Sequence, residues 1–298
     1  MAKKIIITIP AYNEEQALPE VINNINSSLG KSKYNGAYKI LVADDGSIDN
    51  TANIAKSLGA IVVSHPRNYG LAETFRTEIK KCLELKADII VHFDADNQYK
   101  AEEIPKLLSY VEQGYDFVLG SRFLGKIESM PLIKRLGNKA FSKVISSITR
   151  TKITDAQTGF RAFTKEVAER LQIISNHTYT QEQIIRAVRE KFKIIEVPVY
   201  FAKRKDNNSR LIRNPFEYAV KAWINLLRVY RDYEPLKFFG AIGSCLLSVG
   251  FMIGLYFLYL HFTRGITGHL GLLMLMILST ISGIQIIVFG FLADMNAK

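Results

Sequence analysis

Residues 91–98 read VHFDADNQ, an apolar run that ends in two aspartates one residue apart, Asp94 and Asp96. The run begins earlier, as ADIIVHFDA (87–95), and its β-branched content marks it as a buried strand. An ionised carboxylate is costly to bury unless something pairs with it. The strand therefore ends either in open water or beside a cation. Working outward, runs of the same kind recur as KIIITIP (4–10), YKILVAD (38–44), AIVVS (60–64) and DFVLGS (116–121). Helical stretches separate them, over 14–29, 51–58, 71–85 and 101–113. Continuous apolar strands alternating with helices indicate an α/β fold, with an open, mostly parallel, Rossmann-like sheet covered by helices on both faces. Ligands of such sheets gather outside the carboxyl ends of the strands. The polar clusters fall there: PAYNEE (10–15), ADDGS (43–47), DADNQ (94–98) and GSR (120–122).

The formal net charge of +11 calls for polyanionic company, whether nucleic acid, an anionic lipid surface or a phosphorylated substrate. Nucleic acid is the weakest of these, because the basic residues cluster beside apolar spans and not along a groove interleaved with aromatics. Cys82 and Cys245 lie in unrelated segments, so neither a disulfide framework nor a zinc site is expected. The opening MAKKIIITIPAYNEE has too short an apolar run for a signal peptide, and export is not expected. No G-x-S-x-G and no G-x-x-x-x-G-K-[ST] occurs, against a hydrolase or a P-loop enzyme.

Composition changes near Lys237. Residues 238–260 and 270–293 contain no Asp, Glu, Lys or Arg, and each is long enough to cross a bilayer as a helix. The connector HFTRGITGH allows only a turn, so both chain ends share one side. On that side lie Lys203, Arg204, Lys205, Arg210, Arg213, Lys221, Arg228, Arg231 and Lys237, against Arg264 in the connector. Positive residues stay inside, which makes the N-terminal domain cytoplasmic. The stretch 214–235, NPFEYAVKAWINLLRVYRDYEP, reads as a basic amphipathic helix lying on the membrane. The expected organisation is a cytoplasmic α/β domain over 1–205, a basic amphipathic juxtamembrane segment over 206–236 and a two-span hairpin with a short tail over 237–298. In the first span, Gly250 and Gly254 offer a small-residue face to the second span or to another protomer.

Converging strand ends would bring Glu14, Asp44, Asp45, Asp94 and Asp96 together. That much like charge needs a counterweight. Mg²⁺ or Mn²⁺, held by one or two carboxylates and by substrate phosphates, is the simplest one. Asp94 and Asp96 point the same way on an extended backbone, and Gln98 is a candidate further contact. In ADDGSIDNT, Gly46 permits the bend, and Ser47, Asp49 or Asn50 could cap the next helix. Two adjacent acids exceed what capping needs, so one could accept hydrogen bonds from a base or ribose. His92 is expected as a satisfied interior side chain and His177 as a surface or capping one.

In order along residues 4–211, the segments IPAYNEE, ADDGSIDNT, NYGLAETFRTEI, DADNQ, GSRF, DAQTGFRAF and EVPVYFAKRKDNNSRL resemble family 2 glycosyltransferases of the GT-A fold. The type is the dolichol-phosphate and polyprenyl-phosphate sugar synthases. The resemblance implies a nucleotide-sugar pocket at Pro10, Tyr12, Glu14, Ala43 and Asp45, with Asp44 and Ala95 beside it. It implies a metal and diphosphate site at Asp94, Asp96 and Gln98. Arg122 is similar to the arginine placed between donor and lipid phosphate, and Arg204 and Arg210 to a basic lid. Three positions depart from the pattern: Tyr99 stands where His is frequent, Thr158 where Ser is usual, and Asn208 where Gly commonly precedes the Ser of the lid. The implied reaction is inverting transfer of a hexose from a UDP- or GDP-sugar to a dolichyl or undecaprenyl monophosphate. In PLIKRLGNKAFSKVISSI (131–148), Lys134 and Arg135 are candidates to face the lipid phosphate. A phosphate monoester, with a second pKa of about 6, arrives ionised and needs no general base. A hydroxyl acceptor on a glycolipid or polysaccharide would need one, with Glu182 or Asp155 as candidates. A non-catalytic nucleotide-sugar-binding membrane protein is the reading of another class. Homo-oligomerisation is left open.

Overall fold

The computed structural model describes residues 3–171, 173–174, 179–203, 215–263 and 269–296. The chain divides into two compact units, 1–215 and 216–298. The first alternates strand and helix: β1 (Ile5–Ala11), α1 (Leu18–Gly30), β2 (Tyr38–Asp44), α2 (Thr51–Ser57), β3 (Ile61–Ser64), α3 (Leu71–Glu84), β4 (Ile89–His92), α4 (Ile104–Glu112) and β5 (Phe117–Ser121). It continues with α5 (Leu132–Thr149), β6 (Arg161–Thr164), α6 (Lys165–Arg170), α7 (Thr180–Arg189) and β7 (Ile194–Pro198). The strands form one seven-stranded sheet in the order β3-β2-β1-β4-β6-β5-β7. All neighbours pair in parallel except β6, which runs antiparallel to both β4 and β5. The open α/β sheet is as expected; β6 and β7 are additions to the five strands read from the sequence.

Burial on both faces explains the continuous apolar strands. Ile5, Ile7 and Ile9 share a core with Leu18, Val21, Ile22 and Ile25 of α1 and with Ile104, Leu107 and Leu108 of α4. The intervening Ile6 and Thr8 are equally buried on the opposite face. There α3 buries Phe75, Glu78 and Cys82. One boundary differs from expectation: α1 begins at Leu18 and not at residue 14. Pro19 accounts for this, since its fixed φ and missing N–H favour the first helical turn. Residues 14–17 form instead a turn closed by Ala17 N–H donating to Glu14 O.

The antiparallel β6 matters for the site. Parallel strands β1, β2, β4 and β5 deliver their carboxyl ends to one edge of the sheet, and the reversed β6 delivers its beginning there. Phe160, Gly159 and the segment leading from Asp155 thus arrive beside Asp94.

The second unit holds α8 (Pro215–Tyr233), α9 (Pro235–Thr263) and α10 (Leu270–Asn296). Trp223, Ile224 and Leu227 are exposed on α8. Helices α9 and α10 have mean hydropathies of 2.0 and 2.3 and are long and apolar enough to cross a membrane. At 1.5 Å per residue they run about 43 and 40 Å, beyond the roughly 30 Å of a hydrocarbon core. They pack closely against each other. A Cβ on Gly243 would lie 2.7 Å from the Gly283 carbonyl oxygen, and one on Gly250 would lie 3.2 Å from the Met276 carbonyl oxygen. Gly254 has looser surroundings, with Met276 Sδ 3.6 Å from the same position. Gly250 of the nominated face thus does pack against α10, with Thr280 Oγ1 closer still to its Cβ position, and the closest approach to backbone lies at Gly243 and Gly283.

Candidate active site

A cleft of about 310 Å³ opens at the carboxyl ends of β1, β2 and β4. Its lining gathers Pro10, Tyr12, Glu14, Asp45, Asp94, Ala95 and Asp96, all nominated from the sequence. Asn68, Gly70, Leu71 and Thr74 also line it, and no role had been read for them. Ala43, Asp44, Gln98, Arg122, Asp155, Glu182, Lys134 and Arg135 are not among its lining residues. Arg204 and Arg210, with Asn208, lie outside the described residues.

Two loops form one wall. The segment after β1 is sewn to the segment after β2: Asn13 N–H donates to Ser47 Oγ (2.9 Å), Glu14 N–H to Thr51 Oγ1 (2.9 Å) and Ile48 N–H to Asn13 Oδ1 (2.9 Å). Asn13 adopts φ 54°, a value that asparagine tolerates better than most side chains. Tyr12 lies on this wall with 39% of its surface exposed.

Asp44 and Asp45 have different jobs. Asp44 Oδ1 accepts the Ser47 amide at 3.0 Å and closes the turn. Asp45 is buried yet reaches the next loop, where its carboxylate accepts from the Tyr69 and Gly70 amides, each at 2.9 Å. Its Oδ1 also lies 2.8 Å from His65 Nδ1. Asp45 thereby fixes the start of α3, whose first turn presents Leu71 and Thr74 to the cleft. Gly70, at φ 89°, makes the turn that brings them there.

Asp94 and Asp96 form the opposite wall. Asp96 Oδ1 accepts the Gln98 amide at 3.1 Å, and Asn97 between them takes φ 58°. Asp94 has a side chain 36% exposed, with Gly159 against its carboxylate so closely that a Cβ there would overlap it. Gln98 turns away, its Nε2 donating to the Ala202 carbonyl at 3.2 Å. Among the described residues no group of three or more His, Cys, Asp and Glu could hold a metal by itself. The residues nevertheless fit a divalent cation. Two carboxylates are the hard donors that Mg²⁺ and Mn²⁺ take, and such ions commonly complete their shell with water and substrate phosphate.

Arg122 follows β5 and is buried in a bidentate pair with Asp155, Nε to Oδ2 and Nη2 to Oδ1, both 2.7 Å. The Arg122 amide donates to the same carboxylate at 3.0 Å. Burial opposes the guanidinium charge, but Tyr99 and the hydrogen-bonded Asp155 hold its pKa above the ordinary arginine value. The Phe201 ring lies 5.2 Å from its Cζ. With the amide of Asn138 oriented to satisfy its neighbours, Asn138 Oδ1 accepts from Arg122 Nη2 at 3.2 Å, which ties Arg122 to α5. That helix exposes Leu132 and Leu136 at 74% and 67%, beside an exposed Arg135 and a half-buried Lys134.

Asp155 is a correction to the sequence reading. It was a candidate base, but it is wholly enclosed and holds Arg122, so it is not placed to take a substrate proton. Glu182 is likewise committed: its Oε1 accepts from Arg186 Nε at 2.7 Å and from the Ile174 amide at 2.9 Å. Two departures from the family pattern meet each other, since the Tyr99 hydroxyl lies 3.1 Å from Thr158 Oγ1. Thr158 Oγ1 in turn donates to the Gly120 carbonyl at 2.7 Å. His92 is fully buried and hydrogen-bonded, as its setting in the strand suggested.

Residues 6–172 match the family described as Glycosyl transferase family 2. A UDP-N-acetylglucosamine–dolichyl-phosphate N-acetylglucosaminyltransferase of Methanococcus voltae is 34% identical over 224 residues, 67% of this chain and 86% of that protein. A dolichyl-phosphate hexose transferase of Haloferax volcanii is 32% identical over 200 residues, 66% of this chain and 82% of that protein. Among solved structures, glucosyl-3-phosphoglycerate synthase from Mycobacterium tuberculosis, in complex with Mn²⁺, UDP and phosphoglyceric acid, superposes with a TM-score of 0.58. That match covers 75% of this chain and 78% of the other at 19% identity, and it shows a shared GT-A fold alone. A family match over more than half of the chain, reinforced by relatives above 30% identity, places the cleft in a known lineage: the chain belongs to glycosyl transferase family 2 and is a glycosyltransferase.

Proposed function

We propose that the enzyme transfers a hexose, with inversion, from a nucleoside diphosphate sugar to a dolichyl or other polyprenyl monophosphate at the cytoplasmic membrane face. The observation that carries this reading is the single cleft joining the Asp45-anchored loop to the acidic pair Asp94 and Asp96. Tyr12, Glu14 and Asp45 would hold base and ribose on one wall. Asp94 and Asp96 would hold a divalent ion on the other, with the donor diphosphate between them. When bound, that ion supplies charge neutralisation to the departing diphosphate. The names of the M. voltae and H. volcanii relatives supply the lipid class, and the first also supplies a UDP-linked donor. The charge asymmetry around the apolar helices supports the cytoplasmic orientation.

The chemistry asks little proton transfer of the protein. A phosphate oxygen of the acceptor forms a bond to the anomeric carbon as the bond to the diphosphate breaks on the opposite face. The acceptor is ionised beforehand, its second pKa being about 6. Asp155 and Glu182, the two candidates for the base that a hydroxyl acceptor would need, are both engaged in short ion pairs, which supports the phosphate acceptor. Arg122, held by Asp155 and joined to α5 through Asn138, would stand on the acceptor side. The exposed Leu132 and Leu136 would lie toward lipid, with Lys134 and Arg135 beside its phosphate.

Radiolabelled sugar transfer into extracted lipid phosphate tests the reading. Transfer from a UDP- or GDP-sugar should require Mn²⁺ or Mg²⁺ and should vanish in an Asp94→Ala, Asp96→Ala double variant. Label appearing only on a glycolipid hydroxyl would overturn the proposed acceptor.

A further inference from the structure

Behind the Asp94 carboxylate lies a polar cluster that the reaction as described does not use. His92 ends β4 with no exposed surface. Its Nδ1 lies 2.8 Å from Glu78 Oε2 and its Nε2 lies 2.7 Å from the Tyr179 hydroxyl. Thr8 Oγ1 stands 3.3 Å from Nδ1. Glu78 and Tyr179 are as buried as His92, and the Tyr179 ring stacks on Phe75 at 4.0 Å. Both imidazole nitrogens are thus engaged, and the ring orientation is set from two sides.

Such a cluster is an expensive way to fill a core. Three polar side chains from three segments are desolvated, and apolar residues of similar size would fill the space without that penalty. Its location suggests what offsets the cost. Residues 92 and 94 project to the same side of an extended backbone, and His92 Nε2 is 3.9 Å from Asp94 Oδ1. Gly159 bounds the same carboxylate. Helix α3 also links the two walls of the cleft. Asp45 grips its leading Gly70, its first turn carries Thr74 into the cleft, and one turn later Glu78 reaches His92.

We propose that Glu78, His92 and Tyr179 are positioning residues that fix the carboxyl end of β4 and through it the placement of Asp94, two residues on, at the cation- and diphosphate-facing edge of the cleft. This rests on the assignment of Asp94 to the donor's metal site. Residues behind a metal ligand orient it, and their loss generally lowers metal affinity by about 10- to 100-fold. The full-length protein in detergent, carrying Tyr179→Phe or Glu78→Gln, tests this with Mn²⁺ and UDP as probes. Tyr179→Phe keeps the ring stacked on Phe75 and removes only the hydroxyl. Mn²⁺ binding, read from the paramagnetic resonance of the free ion with UDP present, should weaken by about 10-fold or more. Metal-free UDP binding of Tyr179→Phe should stay at the wild-type level and the variant should remain folded, although its melting temperature falls because the buried His92 Nε2 loses its hydrogen-bond partner. Unchanged Mn²⁺ affinity in the folded variants overturns the proposal, as does an equal loss of Mn²⁺ affinity, metal-free UDP affinity and stability. A wild-type protein whose UDP binding ignores Mn²⁺ would instead sink the metal assignment itself, and the positioning role with it.

Discussion

Gly159→Ala tests how tightly the acidic wall is built. A Cβ at this position would overlap the Asp94 carboxylate, so one of the two must move. Gly159 itself has an ordinary backbone conformation, and alanine brings no backbone strain there. Overpacking a rigid core costs about 1–3 kcal/mol. Asp94, however, is 36% exposed and can rotate into the cleft, at the roughly 0.5–1.5 kcal/mol of a displaced rotamer. Stability should therefore fall by about 0.5–1.5 kcal/mol. Function should fall much further, because a displacement near 1 Å of a positioning contact can cost about 100-fold in rate. The assay pairs sugar transfer at saturating donor with thermal unfolding of the same preparation. A wild-type rate refutes the reasoning, and so does an activity loss that merely tracks unfolding.

Three further outcomes follow from the same structure. Asp155→Asn strips the charge partner from the buried Arg122 and should destabilise the first unit by about 3–5 kcal/mol, read by denaturant unfolding. Gly243→Val drives a branched side chain into the Gly283 backbone and should loosen α9 from α10 by about 1–3 kcal/mol, measured by hydrogen exchange of the two helices. At Asp49, burial pushes the carboxyl pKa up, but the hydrogen bonds from Thr51 and Glu15 outweigh it and hold the pKa below its ordinary 3.8. A depressed folded pKa means stabilisation present above pH 3.8 and lost as pH falls through the folded value. Asp49→Asn should therefore matter at neutral pH and cease to matter in acid, by about 1 kcal/mol or less given its exposure to solvent. Unfolding curves of the pair that stay parallel from neutral to acid pH would contradict this.

The sheet was legible because its strands are buried on both faces and so read as unbroken apolar runs. β6 was not, because RAFT opens with Arg161, whose charge would ordinarily exclude it from a core. The structure accommodates it by laying the guanidinium 5.2 Å from the Tyr179 ring and giving Nη1 a hydrogen bond to Gln183 Oε1. Missing an antiparallel strand also hid its consequence, that Gly159 and Asp155 arrive at the carboxyl edge of the sheet. The pairing of Arg122 with Asp155 spans 33 residues and follows no local spacing rule. Asp45 was recognisable as an acid beyond the needs of its turn, yet its partners include the backbone amides of Tyr69 and Gly70, which no side-chain type marks in the sequence. Asn68 and Leu71 flank the two amides that this carboxylate binds, and with Thr74 they line the same cleft.

The most direct test of the central claim is a crystal structure of the protein with UDP and Mn²⁺, with anomalous scattering recorded for manganese. The account predicts an anomalous peak within bonding distance of an Asp94 or Asp96 oxygen, shared with the diphosphate. Nucleotide bound elsewhere, or a diphosphate ordered in the cleft with no manganese against either aspartate, would contradict it.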